Sequence, residues 1–205
     1  RLDPSQFMPV AAERGFASRI DRWVSLTAMK QLASMPGKPR VLINISGYSL
    51  QDKEFAGWLV KAVRATKLEP RNVIFQFNES DANSFMKQVA QFAVALNEAG
   101  CRISISRFVG APNPLKLFDH VAAQLVKFDS SYTQELANKE QRDKFTQLIH
   151  HAQEKGKEVM VGFVESAAQM QQLWTLGGIN YLQGYYLAQP ENLPLIPAGD
   201  AVSSE

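Results

Sequence analysis

Ser106 and Arg107 close a short apolar run over 101–110 (CRISISRFVG), in which Ile103 and Ile105 alternate with polar residues behind the helix-stopping pair Ala99-Gly100. Such a run reads as a buried strand that runs out into a polar turn, Ser106-Arg107. In α/β proteins, ligands are bound just past the carboxyl ends of strands. This strand delivers a hydroxyl and a guanidinium there, and no carboxylate. Arginine keeps its charge in proteins, so the pair supplies a fixed cation and a neutral oxygen, and no hard anionic ligand for a divalent metal. Other chemistry-bearing residues stand at the ends of similar runs: Asn44 after RVLI, Lys127 in QLVKFD, Phe163 and Glu165 after EVMVG, and Gln183 before Gly184.

The spacing of apolar residues predicts the elements that position them. Helices are expected over 2–15, with Asp3 as N-cap, Pro4 at the first position and Gly15 past the end, and over 18–34, capped by Ser18. Strands are expected at 40–45, 72–77, 101–106, 124–129, 158–163 and 180–184. Between them the 3.6-residue period predicts helices at 52–67, 81–99, 114–121, 131–155 and 166–176. The strands are short and nearly continuous in apolar residues, as strands buried on both faces are, which implies parallel pairing with helical crossovers. An open doubly wound sheet and a closed barrel both fit this pattern. A barrel usually takes about 250 residues, so a barrel reading expects one or two strands upstream of Arg1.

The totals narrow the function. At 205 residues the chain holds one sizeable core. The net charge of +2 comes from 22 basic and 20 acidic residues without a basic stripe, which gives no support to a nucleic-acid polymer as partner. A single cysteine, Cys101, cannot build a disulfide framework, and we expect a reducing, cytoplasmic setting. No apolar run is long enough to span a bilayer.

Six segments, FMPVAAERG at 7–15, INIS at 43–46, FNES at 77–80, VKFD at 126–129, GFVES at 162–166 and QGYYLAQP at 183–190, resemble in order the landmark segments of EAL domains, the cyclic di-GMP phosphodiesterase family. The resemblance implies a modified TIM (β/α)8 barrel, a single domain over 1–190 with a tail at 191–205, and first strands with the Glu-Ala-Leu motif upstream of Arg1. It also implies a groove built for two divalent cations that activate water. Carried over position by position, the family's metal-binding Asn is Asn44, but its next Glu is Gln76. Its paired aspartates are Ser106 and Arg107, and the first Glu of Glu-Gly-Val-Glu is Gly162. The supporting Glu79, Lys127, Glu165 and Gln183 are kept. Like charges a few ångströms apart repel by several kcal/mol at intermediate dielectric, so cations gathered beside Arg107 are disfavoured.

What remains is similar to the degenerate EAL domains of FimX-type regulators. These are cyclic di-GMP receptors of type IV pilus and twitching-motility control, some of which bind a PilZ-domain protein. The expected function is therefore an inactive receptor that binds cyclic di-GMP without metal and signals to a PilZ-domain or other pilus-assembly partner. The expected nucleotide contacts are Asp21, Asn44, Arg107, Lys127, Phe163, Glu165, Gln183 and Pro190. Arg107 and Lys127 would serve the phosphates. Asp21 and Glu165 would accept from guanine N–H groups, and Phe163 would offer a stacking face. Two other functions compete: a weak metal-dependent phosphodiesterase, and an interaction module without nucleotide.

Each residue has a plainer reading as well. Asp21 could pair on a solvated helix face, Glu165 could answer a helix dipole, and Phe163 could be core. Asn44 could cap a loop, and Lys127 could pair with Asp129. His150 and His151 read as surface residues.

Overall fold

The computed structural model describes residues 4–37, 39–108 and 117–191. All six expected strands form: β1 (Val41–Asn44), β2 (Val73–Asn78), β3 (Arg102–Phe108), β4 (Leu125–Phe128), β5 (Glu158–Val161) and β6 (Tyr181–Leu182). They pair in parallel in the order β1-β2-β3-β4-β5-β6. A strictly sequential order has no switch point, which is what a doubly wound sheet requires. Flat, the two edges would lie roughly 24 Å apart at the usual strand spacing. Instead the guanidinium of Arg40, one residue before β1, donates to the hydroxyl of Tyr181 on β6 at 2.7 Å. The sheet therefore curls back on itself as a half-barrel, and this decides between the two architectures.

The helices are α1 (Pro4–Glu13), α2 (Ala17–Ser34), α3 (Phe55–Ala65), α4 (Glu79–Ser84), α5 (Met86–Glu98), α6 (Leu117–His120), α7 (Ser130–Gln134), α8 (Lys139–Glu154) and α9 (Ala167–Leu176). Of these, α2, α4, α5 and α8 pack on the sheet, and α1 packs on α2. Phe55 stacks on Phe92, and Phe128 meets Tyr132 and Phe145, so aromatic rings fill much of the space between helices and strands. Cys101 is buried within this core, which pushes its thiol pKa up to about 11 and leaves it protonated at neutral pH.

Several boundaries differ from expectation for identifiable reasons. The helix predicted over 81–99 is two, parted at Phe85, whose backbone (φ −123°, ψ 38°) is not helical. The one predicted over 131–155 is also two, because Asn138 starts α8 afresh by accepting from the Gln141 amide. Ser18 does not cap α2. The helix begins at Ala17, and the Ser18 hydroxyl is drawn away to Asp52 Oδ2 at 2.8 Å. Ser106-Arg107 is not a turn past the strand, since β3 runs on to Phe108. Gly15 does sit past α1 in a left-handed conformation (φ 71°). The expected cap Asp3, residues 114–116 of the expected 114–121 helix and most of the tail lie outside the described residues.

A polar groove at the carboxyl ends of the strands

The register of β1, β2 and β3 sets Asn44, Gln76 and Ser104 side by side. Gln76, buried, donates its amide to Asn44 Oδ1 at 2.7 Å and accepts from the Ser104 hydroxyl at 3.1 Å. Its burial is tolerated because both ends of the amide are satisfied. One residue pair further along, Ser106 donates to Asn78 Oδ1 at 3.1 Å. Asn44 is thus joined to a neighbouring strand and does not cap a loop.

Beyond Ser106 the ladder slips between Ile105 and Phe108. This bulge turns Arg107 out to solvent with φ 51°, while Phe108 on its other side is fully buried. A left-handed backbone costs a non-glycine residue about 1–2 kcal/mol, and such outliers concentrate at functional positions. Phe163, just past β5, has the same conformation (φ 60°) and is 54% exposed, so it is not core. Two of the eight expected contact residues are therefore held in strained geometry, at the ends of β3 and β5, on either side of β4.

Lys127 on β4 donates to Gln183 Oε1 at 2.6 Å, and burial pushes its ammonium pKa below the ordinary lysine value. It does not pair with Asp129, which instead caps α7 by accepting from the Ser131 amide. The Lys127 stem passes Gly162 so closely that a Cβ there would lie 3.1 Å from its Cε. Glu165 is exposed immediately before Ser166, the N-cap of α9. Pro190 is exposed beyond β6. His150 and His151 lie on the exposed side of α8.

Asp21 is not a solvated surface pair. It is 6% exposed, and its Oδ2 accepts from the Ser46 amide (2.9 Å), the Ser46 hydroxyl (2.6 Å) and the Ser49 hydroxyl (2.6 Å). It clamps the loop after β1. From the opposite side the same loop meets Asp81, which lies so close that a Cβ on Gly47 would fall 2.5 Å from Asp81 Oδ1. Burial raises the Asp81 pKa, and the hydrogen bonds from Asn78 and Gly47 and the charge of Arg107 only partly oppose it. Asp81 was not among the expected site residues, and its place beside the FNES segment was the only hint.

These donors do not suit a pair of divalent cations. Arg107 and Lys127 carry positive charge, and Asn44 and Gln76 are amides that already bond each other. Asp21, Asp81 and Asp129 are each held by donors of the protein, and Glu79 is 5% exposed. Hard cations need several free anionic oxygens, and among the described residues no three His, Cys, Asp or Glu side chains are grouped to hold a metal. A cleft lined by Gly37, Pro39, Arg40, Glu69, Arg71 and Asn72 opens at the amino ends of the strands instead, away from all of these groups. Among the described residues, no helix is long and apolar enough to cross a membrane.

The structure is similar to the FimX EAL domain of Pseudomonas aeruginosa solved bound to c-di-GMP. The identity is 37%, the TM-score 0.88, and the match covers 92% of this chain and 77% of that one. In sequence it is 29% identical over 196 residues to the cyclic di-GMP phosphodiesterase PdeF of Escherichia coli, covering 94% of this chain and 26% of that protein. It is 27% identical to the probable cyclic di-GMP phosphodiesterase PdeA of the same organism, covering 94% and 27%. The chain thus spans about a quarter of the length of these curated relatives. The EAL domain model matches residues 1–190, and with it this chain belongs to the EAL domain family.

Proposed function

We propose that this domain is a receptor for cyclic di-GMP that binds the dinucleotide without a metal, leaves it intact and passes its occupancy to a protein partner. One observation carries the reading: the carboxyl ends of β3 and β4 present a solvent-facing arginine and a lysine where water-activating chemistry would need free carboxylates. A dianionic ligand is what two such cations can hold, by charge-assisted hydrogen bonds to phosphate oxygens. Phe163 offers an exposed ring for a guanine face. Glu165, Asn44, Gln183 and the second carboxylate oxygen of Asp21 supply acceptors for guanine N–H groups, and Pro190 borders the same end. Support also comes from the 37% identity to the FimX domain that was solved with c-di-GMP. By that likeness the output is type IV pilus or twitching-motility control through a PilZ-domain protein, in the cytoplasm.

Calorimetric titration with cyclic di-GMP, with and without Mg²⁺, followed by chromatography of the nucleotide, tests the reading. Metal-independent heat and an intact ligand are expected. A linear product formed only with metal would make the domain a phosphodiesterase. Absence of any heat would make it a protein-interaction module.

A further inference from the structure

The segment that carries Phe163 and Glu165 is not held mainly by the strand it leaves. The Val164 amide donates to the Gln183 carbonyl at 3.0 Å, and the Val164 carbonyl accepts from the Tyr186 amide at 3.1 Å. Between those two bonds lies Gly184. A Cβ added there would fall 2.1 Å from Val164 O, 2.3 Å from Val164 N and 2.6 Å from Val164 C. Backbone therefore packs directly on backbone, which only glycine permits. Gly184 is locked in turn, because its carbonyl accepts from the Leu187 and Ala188 amides, both at 3.0 Å. Two lesser pins flank the contact: the Thr133 hydroxyl donates to Gly162 O at 2.9 Å, and the Glu165 amide donates to Gln169 Oε1 at 2.8 Å.

We infer that Gly184 is the positioning residue of the groove, setting through its contact with Val164 the height and angle at which Phe163 and Glu165 face a ligand. The left-handed Phe163 survives because the residues on both sides of it are fixed from outside, as strained backbone requires. Val164 is fully buried and cannot yield. A methyl at 184 must push the segment outward, and the exposed ring of Phe163 moves with it. The inference rests on the proposed binding of cyclic di-GMP for its functional reading, whereas its structural half stands apart.

The test compares Gly184→Ala and Thr133→Val with Ile149→Val, a core truncation on α8 far from the groove that controls for general loss of stability. Amide resonances and cyclic di-GMP affinity are measured for each. In Gly184→Ala the amides of Phe163, Val164 and Glu165 are expected to shift while those of β1 and β2 stay. Affinity should fall by at least about tenfold, since misplacement of a binding group by about 1 Å is costly. Thr133→Val, nearly isosteric and so expected to fold, should weaken binding a few-fold and carries the test if Gly184→Ala does not fold. Ile149→Val should leave both readouts at wild-type values. Unmoved amides, or an affinity loss matched by Ile149→Val, would overturn the inference. A wild-type protein that binds no cyclic di-GMP would sink the receptor reading, and the amide shifts would still decide the positioning.

Discussion

The two ends of the sheet are built on opposite principles. At the amino ends, Arg102 on β3 forms an ion pair with Glu158 Oε1 on β5 at 2.7 Å, Tyr181 donates to Glu158 Oε2 at 2.8 Å, and Arg40 donates to Tyr181. Burial alone would raise the Glu158 pKa, but the bonds from Arg102 and Tyr181 and the nearby charges of Arg102 and Arg40 outweigh it and hold the carboxyl below its ordinary value. At the carboxyl ends the balance runs the other way. Burial wins at Lys127 and at Asp81, drawing both toward neutrality, and two residues stand in left-handed backbone. One end pairs Glu158 with an arginine, and the other meets Lys127 with the neutral amide of Gln183. That is the division expected of a barrel, with stability placed at the bottom and ligand chemistry at the top.

The comparison can be broken at either end. The largest effect is expected at the top: Arg107→Ala and Lys127→Ala should each weaken cyclic di-GMP binding by roughly 10- to 100-fold, the worth of a charge-assisted hydrogen bond, with little change in Tm. Unchanged affinity in both titrations would remove the phosphate role. Glu158→Gln should do the reverse. It leaves Arg102 without its counter-charge and lowers unfolding stability by about 1–3 kcal/mol, read by denaturant melts, with cyclic di-GMP affinity at wild-type level. Acid sharpens the same point. Because the folded-state pKa of Glu158 lies below its ordinary 4.5, its contribution is fully present above pH 4.5 and is lost as the pH falls through the folded value. A wild-type stability curve should therefore drop there more steeply than that of Glu158→Gln. The smallest effect is expected in the stability of Arg107→Gly: release of the left-handed strain should raise it by up to about 1 kcal/mol, while binding weakens as in Arg107→Ala. A fall in Tm would show that the bulge is held by the arginine side chain.

The strands were legible in the sequence because each is a local event, a short apolar run between breakers such as Ala99-Gly100 and Lys155-Gly156-Lys157. The helix breaks at Phe85 and Asn138 were not: the apolar period continues through Phe85, and the polar stretch 138–144 suits an exposed helix face as well as a break. Of the site, the residue types at the strand ends could be read, whereas Asp81, close enough to feel the charge of Arg107, was missed. The settings of the strand-end residues could not be read. The left-handed turn at Arg107 follows from a register slip against β4, and the clamp on the loop after β1 joins Asp21 to Ser46 and Ser49 across more than twenty positions. The amino-end network was equally hidden, because Arg40 and Tyr181 lie 141 positions apart and meet only once the sheet has curled.

The bond between Lys127 and Gln183 has a thermodynamic sequel. An anion that displaces Gln183 from the ammonium favours the charged form that burial disfavours, and so lifts the Lys127 pKa back up. Ligand capture should then draw in a fraction of a proton at alkaline pH, and affinity should decline as the pH climbs between the free and occupied pKa values. Heats recorded in buffers of different ionisation enthalpy would expose that uptake, and Lys127→Arg, which stays charged throughout, should abolish it.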